Sequence, residues 1–115
     1  MRAPRTLNIS RGVASGEAQV VLGPEPFHSS WDWNGRRLVL TTDRHGLQPV
    51  FYRASGDRFA ISSSIEALRR PGDELDCSAL GLFLRLGFFI GNDVPFLDIH
   101  RAPPDSALQW EDGQL

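Results

Sequence analysis

The stretch Arg37-Leu-Val-Leu-Thr-Thr-Asp-Arg-His-Gly-Leu-Gln-Pro-Val-Phe-Tyr52 decides how this chain folds. Its three consecutive apolar residues, 38–40, predict a strand that is buried on both faces. The polar residues 43–46, which end in glycine, are typical of a tight turn. A second strand is expected to open at Pro49. The stretch therefore predicts two strands joined by a short turn.

Two hairpins are predicted on either side of this turn. In the first, segments 29–33 and 36–42 flank Asn34-Gly35, the pair that a two-residue type I′ turn prefers because both positions need positive φ. In the second, segments 51–54 and 59–62 flank a turn over 55–57. Upstream, we expect a buried strand over 18–22 and a short strand around 7–9, in a region that otherwise has little periodicity.

Two helices are predicted after the second hairpin. The first covers 65–70, is capped by a hydroxyl of the serine run 62–64, and stops at Pro71-Gly72. The second begins after the capping residue Asp76 and covers 77–86. Its apolar stripe consists of Leu80, Phe83, Leu84 and Gly87, with Gly87 as the C-terminal cap.

The last quarter of the chain is predicted to be a long loop over 88–104 that is rich in aromatic residues. Phe88, Phe89 and Phe96 need a surface to pack on, and we predict that they form a partner-docking surface. Trp110 lies in the first arm of a third hairpin, whose return strand starts at 114–115. A hairpin without its second arm is poorly stable, so we expect either that the chain was cut inside a longer protein or that it is a genuine truncation.

Length and composition narrow the class of protein. The 115 residues are expected to form one domain, 1–115, and the net charge of −2 favours neither nucleic acid nor a membrane as partner. All 12 basic residues are arginine, which excludes a lysine nucleophile. Cys77 is the only cysteine, and no Cys/His cluster suggests a metal site. No signal peptide or membrane span is visible in the sequence, so the cytoplasm is the expected location.

Residues 43–52 resemble the D-R-x-G-x-x-P-L-Y-Y signature of asparagine synthetase-like proteins, in their N-terminal glutamine amidotransferase domain. Four further blocks agree in order, so that 26–115 is similar to the family and 1–25 is poorly matched. These blocks are Trp31-Asp32, the segment 59–68 (similar to F-A-F-A-S-E-I-K-A-L), the segment 75–87 (similar to L-D-P-E-A-L…L-R-L-G), and the segment from Pro95-Phe96 to Gly113.

The resemblance implies an α+β fold, a partial αββα sandwich of stacked antiparallel sheets like that of the N-terminal nucleophile hydrolases. In that family, the cysteine at the mature N-terminus attacks the side-chain amide of glutamine. This chain begins Met1-Arg2-Ala3, and Cys77 is interpreted as structural. We therefore predict no catalytic, cofactor-binding or metal-binding residue here. The resemblance implies ATP and Mg only for a partner domain.

The leading hypothesis is a degenerate amidotransferase-like domain without glutaminase activity. It would support an asparagine synthetase-type ATP-pyrophosphatase domain, in the same chain or another, that forms amides. One alternative is a fragment of a true glutamine-hydrolysing asparagine synthetase. Another is a stand-alone homodimer or ligand-binding module, in which the open strand at Leu115 pairs with a second copy.

Other polar groups are interpreted as structural. Asn34-Gly35 is a turn rather than an oxyanion pair, and Asp43-Arg44-His45 is a turn closed by an arginine-to-carboxylate clasp. The run 62–64 has no histidine at a motif spacing. The acidic cluster is interpreted as a solvated loop and a helix cap; it consists of Glu66, Asp73, Glu74 and Asp76.

Overall fold

In the computed structural model, which describes residues 4–24, 26–86 and 94–111, the chain forms two antiparallel sheets and one α-helix. The strands are β1 Thr6–Ser10, β2 Val13–Gly16, β3 Gln19–Leu22, β4 Ser29–Trp33, β5 Arg37–Thr41, β6 Phe51–Ser55, β7 Arg58–Ser62, β8 His100–Arg101 and β9 Ala107–Glu111. A 3₁₀ turn covers Glu66–Leu68, and helix α1 covers Cys77–Leu86. The five-stranded sheet has the order β2-β1-β7-β6-β8, and the four-stranded sheet has the order β3-β4-β5-β9.

The two sheets stack face to face around one apolar core, since buried side chains from both sheets belong to the same cluster. A smaller cluster of Ala60, Leu68 and Ile99 lies on the other face of the five-stranded sheet, beneath the 3₁₀ turn. The predicted α+β class and its stacked sheets are confirmed. The main cluster contains Leu7, Ile9, Val20, Trp31, Trp33, Leu38, Leu40, Val50, Phe59, Ile61, Ala102 and Trp110.

The segment before the family-like region is an integral part of both sheets. The strand expected around 7–9 is present as β1, and β2, which was not predicted, pairs with it. Leu7 and Ile9 of β1 are buried in the core. Arg11 and Gly12, which join the two strands, have φ values of 52° and 78°, the positive pair that a type I′ turn needs.

Both predicted hairpins are confirmed, but the first turn is not type I′. Among the described residues, only Gly35 of this turn has a positive φ, at 97°. Asn34 donates its N–H to the carbonyl of Arg37 at 3.2 Å, so the two central residues are Gly35-Arg36. Glycine at the first central position is the arrangement of a type II′ turn. The second hairpin turns at Gly56-Asp57, because Ser55 pairs with Arg58.

Two predictions of fully buried strands are wrong for the same reason. Val39 was expected to be buried, but it lies on the outer face of β5 and is only partly covered. Segment 18–22 was expected to be a buried strand, but β3 is the edge of its sheet and Val21 is 63% exposed. In both strands only one face meets the core, as is usual for antiparallel sheets.

The helix predicted over 65–70 is wrong in length and in its cap. The chain forms only the 3₁₀ turn, and its N-terminal residue Ile65 makes no side-chain cap hydrogen bond. The hydroxyl of Ser62 instead accepts the N–H of Ser64 at 3.1 Å. The helix predicted over 77–86 is confirmed as α1, with Oδ1 of Asp76 accepting the N–H of Ala79 at 3.0 Å.

The region interpreted as a long loop contains a short strand, β8, which pairs with β6. The strand that includes Trp110 is present as β9, and it pairs with β5. Residues 87–93 and 112–115 lie outside the described residues, and with them the expected cap Gly87 and the return strand at 114–115.

Candidate functional site: the signature turn and the apolar helix

The most highly organised polar group of the described chain is the carboxylate of Asp43, the first residue of the signature turn. Asp43 is only 3% exposed. Its Oδ1 accepts the N–H of Gln48 at 2.9 Å and the hydroxyl of Ser29 at 3.3 Å. Its Oδ2 accepts the N–H groups of Leu47 at 2.8 Å and His45 at 3.2 Å. These donors, rather than the Arg44 guanidinium that we expected, close the turn.

Two opposing effects act on the pKa of Asp43. Burial raises this pKa, because a charged carboxylate loses its water. The hydrogen bonds from Gln48, Leu47, His45 and Ser29 lower it by more, so the pKa lies below its ordinary value of 3.8. Asp43 is therefore an ionised acceptor at neutral pH. With its lone pairs occupied by the turn, it is unsuited to serve as a general base.

The residue before Asp43 ties the signature turn to the chain before β9. Thr42 donates its hydroxyl to the carbonyl of Pro103 at 2.6 Å, and the same oxygen accepts the N–H of Ser106 at 2.9 Å. The N–H of Asp105 donates to the carbonyl of Asp43 at 2.9 Å. The conspicuous sequence signature thus fixes the path of the backbone between the two sheets.

Asn34-Gly35 is confirmed as a turn. The amide oxygen of Asn34 accepts the N–H groups of Arg36 and Arg37 at 2.9 and 2.7 Å. The amide oxygen of Asn34 therefore accepts hydrogen bonds from the backbone of its own turn, as in an Asx turn.

The single thiol lies apart from the signature turn, on the first residue of α1. Cys77 is exposed and free. It makes no side-chain hydrogen bond within the part of the chain that the structure describes. A cysteine nucleophile needs an adjacent base, and this geometry supplies none from the described residues.

The acidic cluster of the sequence is split by the fold. Asp76 caps α1 as predicted, but Asp73 is not a solvated loop residue. Its two oxygens each lie 2.9 Å from the guanidinium of Arg53, in a fork whose side chains are only 6% and 13% exposed. The hydrogen bond from Arg53 is the largest cause of the lowered pKa of Asp73. No local pattern could have indicated this pair, since its members are 20 residues apart.

No metal centre is assembled by residues 4–24, 26–86 and 94–111: they contain no group of three or more metal-ligating side chains.

Of the three predicted docking residues, Phe88 and Phe89 lie outside the described residues. Phe96 is partly buried against the smaller cluster, and the guanidinium of Arg69 lies 4.9 Å from its ring centroid. Phe96 also bridges to Leu75, which holds the segment before β8 next to the start of α1. The Phe96 ring therefore packs mainly against other residues of this domain.

Helix α1 is apolar on more than one side. Ala79 is buried and Leu80 and Phe83 are partly covered, which places one side of the helix against the domain. The predicted stripe also included Leu84, but this residue is 82% exposed. We call the exposed leucines of and around this helix the leucine surface; they are Leu75, Leu82, Leu84, Leu86 and Leu97.

One comparison, with models of protein families, gave a match. A family model described as a glutamine amidotransferase domain matches residues 27–115. The chain belongs to that family. The match begins just before β4, so it includes the signature turn, α1 and β9, and it excludes β1, β2 and β3. Comparisons with curated proteins and with solved structures gave no match.

Among the described helices, none has the length and apolar character needed to cross a membrane.

Proposed function

We propose that this glutamine amidotransferase-type domain acts in an asparagine synthetase-like protein. There it has no glutaminase activity of its own and supports an ATP-dependent, amide-forming synthetase domain. The family match over 27–115 supports the amidotransferase part of the proposal. The asparagine synthetase context rests on the five ordered sequence blocks.

The location of Cys77 is the observation that carries the proposed inactivity. Attack on a glutamine amide requires a thiolate, an adjacent base and donors that stabilise the oxyanion. The only thiol of these 115 residues is an exposed side chain at the start of a helix. The Asn34-Gly35 pair, which could resemble an oxyanion site, forms the exposed turn between β4 and β5, whereas the thiol lies on α1.

The leucine surface supports a docking role. Ten-residue α1 carries apolar side chains on opposite sides, and a helix that is apolar all round is normally covered on every side. Leu84 alone is 82% exposed. We expect the synthetase domain to cover this residue.

Ammonia release from glutamine tests the proposed inactivity. The purified chain and a Cys77→Ser variant are incubated with glutamine, and ammonia is measured against buffer alone. We expect both proteins to match the buffer. Release above the buffer by the unaltered chain would overturn the proposal, and its loss or persistence in the Cys77→Ser variant would show whether Cys77 is the nucleophile.

Co-expression tests the docking role. The chain is co-expressed with a synthetase domain encoded in the same or a neighbouring reading frame, and complex formation is measured by co-purification. Leu84→Gln should abolish the complex, whereas Val13→Gln, at a 72% exposed residue of edge strand β2, should leave it intact. If the two variants co-purify equally with the synthetase domain, helix α1 is not part of the interface.

A further inference from the structure

A polar cavity lies on the outer face of the five-stranded sheet, near the turn between β6 and β7. Its volume is about 200 Å³. Among the described residues that line it, three are arginines and one carries a carboxylate. The lining residues are Arg53, Ala54, Ser55, Arg58, Arg70 and Asp98.

Strand register explains why side chains from distant positions converge here. Arg53 and Ser55 are alternate residues of β6, so they share one face of the sheet. Arg58 is the cross-strand partner of Ser55 and therefore lies on the same face. Tyr52, which alternates with them, packs against the main core, so the face that carries the arginines is the outer one.

Arg70, the third arginine of the cavity, is held in place by Asp73, which also forms the ion pair with Arg53. The carboxylate of Asp73 accepts the N–H of Arg70 at 2.7 Å while it holds the guanidinium of Arg53. Arg53 Nη1 also donates to the carbonyl of Leu68 at 2.8 Å. Arg53 therefore lines the cavity in a fixed position, and some of its N–H donors are already hydrogen-bonded.

Arg58 and Arg70 differ from Arg53 in that their guanidinium groups remain available. Both residues are exposed, and neither side chain forms an ion pair within the described part of the chain. Each guanidinium presents five N–H donors in a planar fork that suits phosphate and carboxylate oxygens. Among the described residues that line the cavity, Asp98, also exposed, is the one acidic residue that opposes them.

We propose that this cavity binds a small oxyanion of phosphate size, held by Arg58 and Arg70 against the fixed guanidinium of Arg53. This site is separate from the proposed docking role of α1, and its test does not depend on that role. Ser55, which also lines the cavity, adds a hydroxyl donor. Asp98 weakens the site, because its negative charge faces the bound anion.

Calorimetric titration of the full chain with inorganic phosphate, at constant ionic strength in chloride, tests the proposal. We expect saturable binding. Arg58→Gln and Arg70→Gln should each weaken it about tenfold, the usual effect of losing one charge-assisted hydrogen-bonding partner. Asp98→Asn should tighten it, since the variant keeps the shape of the side chain and removes its charge.

Matched controls separate a specific site from general attraction to arginine. Arg44→Gln changes an exposed arginine in the signature turn, before the other end of β6, and Asp32→Asn changes an exposed acid on β4. Both controls should bind phosphate as the unaltered chain does. An absence of saturable binding, or an equal loss in Arg44→Gln and Arg58→Gln, would overturn the proposal.

Two further measurements complete the test. In the unaltered chain, the Nε–H resonances of Arg58 and Arg70 should shift with phosphate while that of Arg44 stays in place; shifts at all three would contradict a defined site. Glycerol phosphate is then titrated in parallel. Tighter binding of this monoester indicates an esterified ligand, and equal or weaker binding indicates free phosphate as the ligand of the site.

Discussion

At the scale of the residue, Asp43 is the buried carboxylate that closes the signature turn. Three backbone N–H groups and one hydroxyl donate to it, and the surroundings exclude water. Asp43→Asn removes the charge and turns one oxygen into a donor that faces other donors. We expect it to lower the free energy of unfolding by about 2–3 kcal/mol in urea denaturation. Asp32→Asn, at an exposed position, should change it by less than about 0.5 kcal/mol.

The carboxylate of Asp43 should also make the free energy of unfolding depend on pH. Its pKa in the folded chain lies below 3.8, so the stability that it adds is present above its unfolded pKa and is lost as pH falls through its folded pKa. The difference in unfolding free energy between the unaltered chain and Asp43→Asn should therefore be constant from about pH 7 to pH 5 and shrink below about pH 4. A difference that grows on acidification would contradict this account of the turn.

At the scale of the element, the positions of the turns show what local patterns could and could not predict. Asn34-Gly35 has the preferred composition for a type I′ turn, yet that turn occurs at Arg11-Gly12, where strand pairing places two positive φ values. The existence of both downstream hairpins and of α1 was predictable, because their periodicity and end signals are local. The partial exposure of Val39 and the pair Arg53–Asp73 depend on contacts between distant segments, so the sequence alone did not reveal them.

Two glycines give opposite predictions at this scale. Gly12 has a φ of 78° with open space around a would-be Cβ, so Gly12→Ala adds strain without a steric clash. We expect it to cost about 1 kcal/mol of unfolding free energy. Gly81 lies inside α1, also with open space, so Gly81→Ala should stabilise by about 0.5–1 kcal/mol. Stabilisation by both substitutions would show that the β1–β2 turn does not have the described conformation.

At the scale of the whole molecule, the two stacked sheets need the segment that precedes the family match. The match begins at residue 27, but β1 and β2 complete the five-stranded sheet, and β3 forms the edge of the four-stranded sheet. Leu7 is fully buried between the sheets. Leu7→Ala should therefore lower the free energy of unfolding by about 2–5 kcal/mol, measured by chemical denaturation. Val13→Ala, at a residue that is 72% exposed, is the matched control and should have little effect.

The stacking of the sheets and the α+β class were predicted from the resemblance that the family-like blocks carry. Strand β2 and the pairing of β1 with β7 could not be predicted, because the sequence periodicity before residue 17 is weak and the two paired strands β1 and β7 lie far apart in the sequence. For the candidate site, aromatic content indicated Phe96, but the exposed side of α1 emerged only from the packing of Ala79 and its neighbours.

Covalent trapping tests the central claim most directly: that this domain keeps the amidotransferase scaffold while its single thiol is not a catalytic nucleophile. The purified chain is incubated with an electrophilic glutamine analogue, and its intact mass is measured over time. We predict no adduct beyond the slow alkylation that an exposed thiol such as Cys77 also shows with a simple alkylating reagent. A rapid, stoichiometric adduct that glutamine prevents, at Cys77 or elsewhere, would contradict the account.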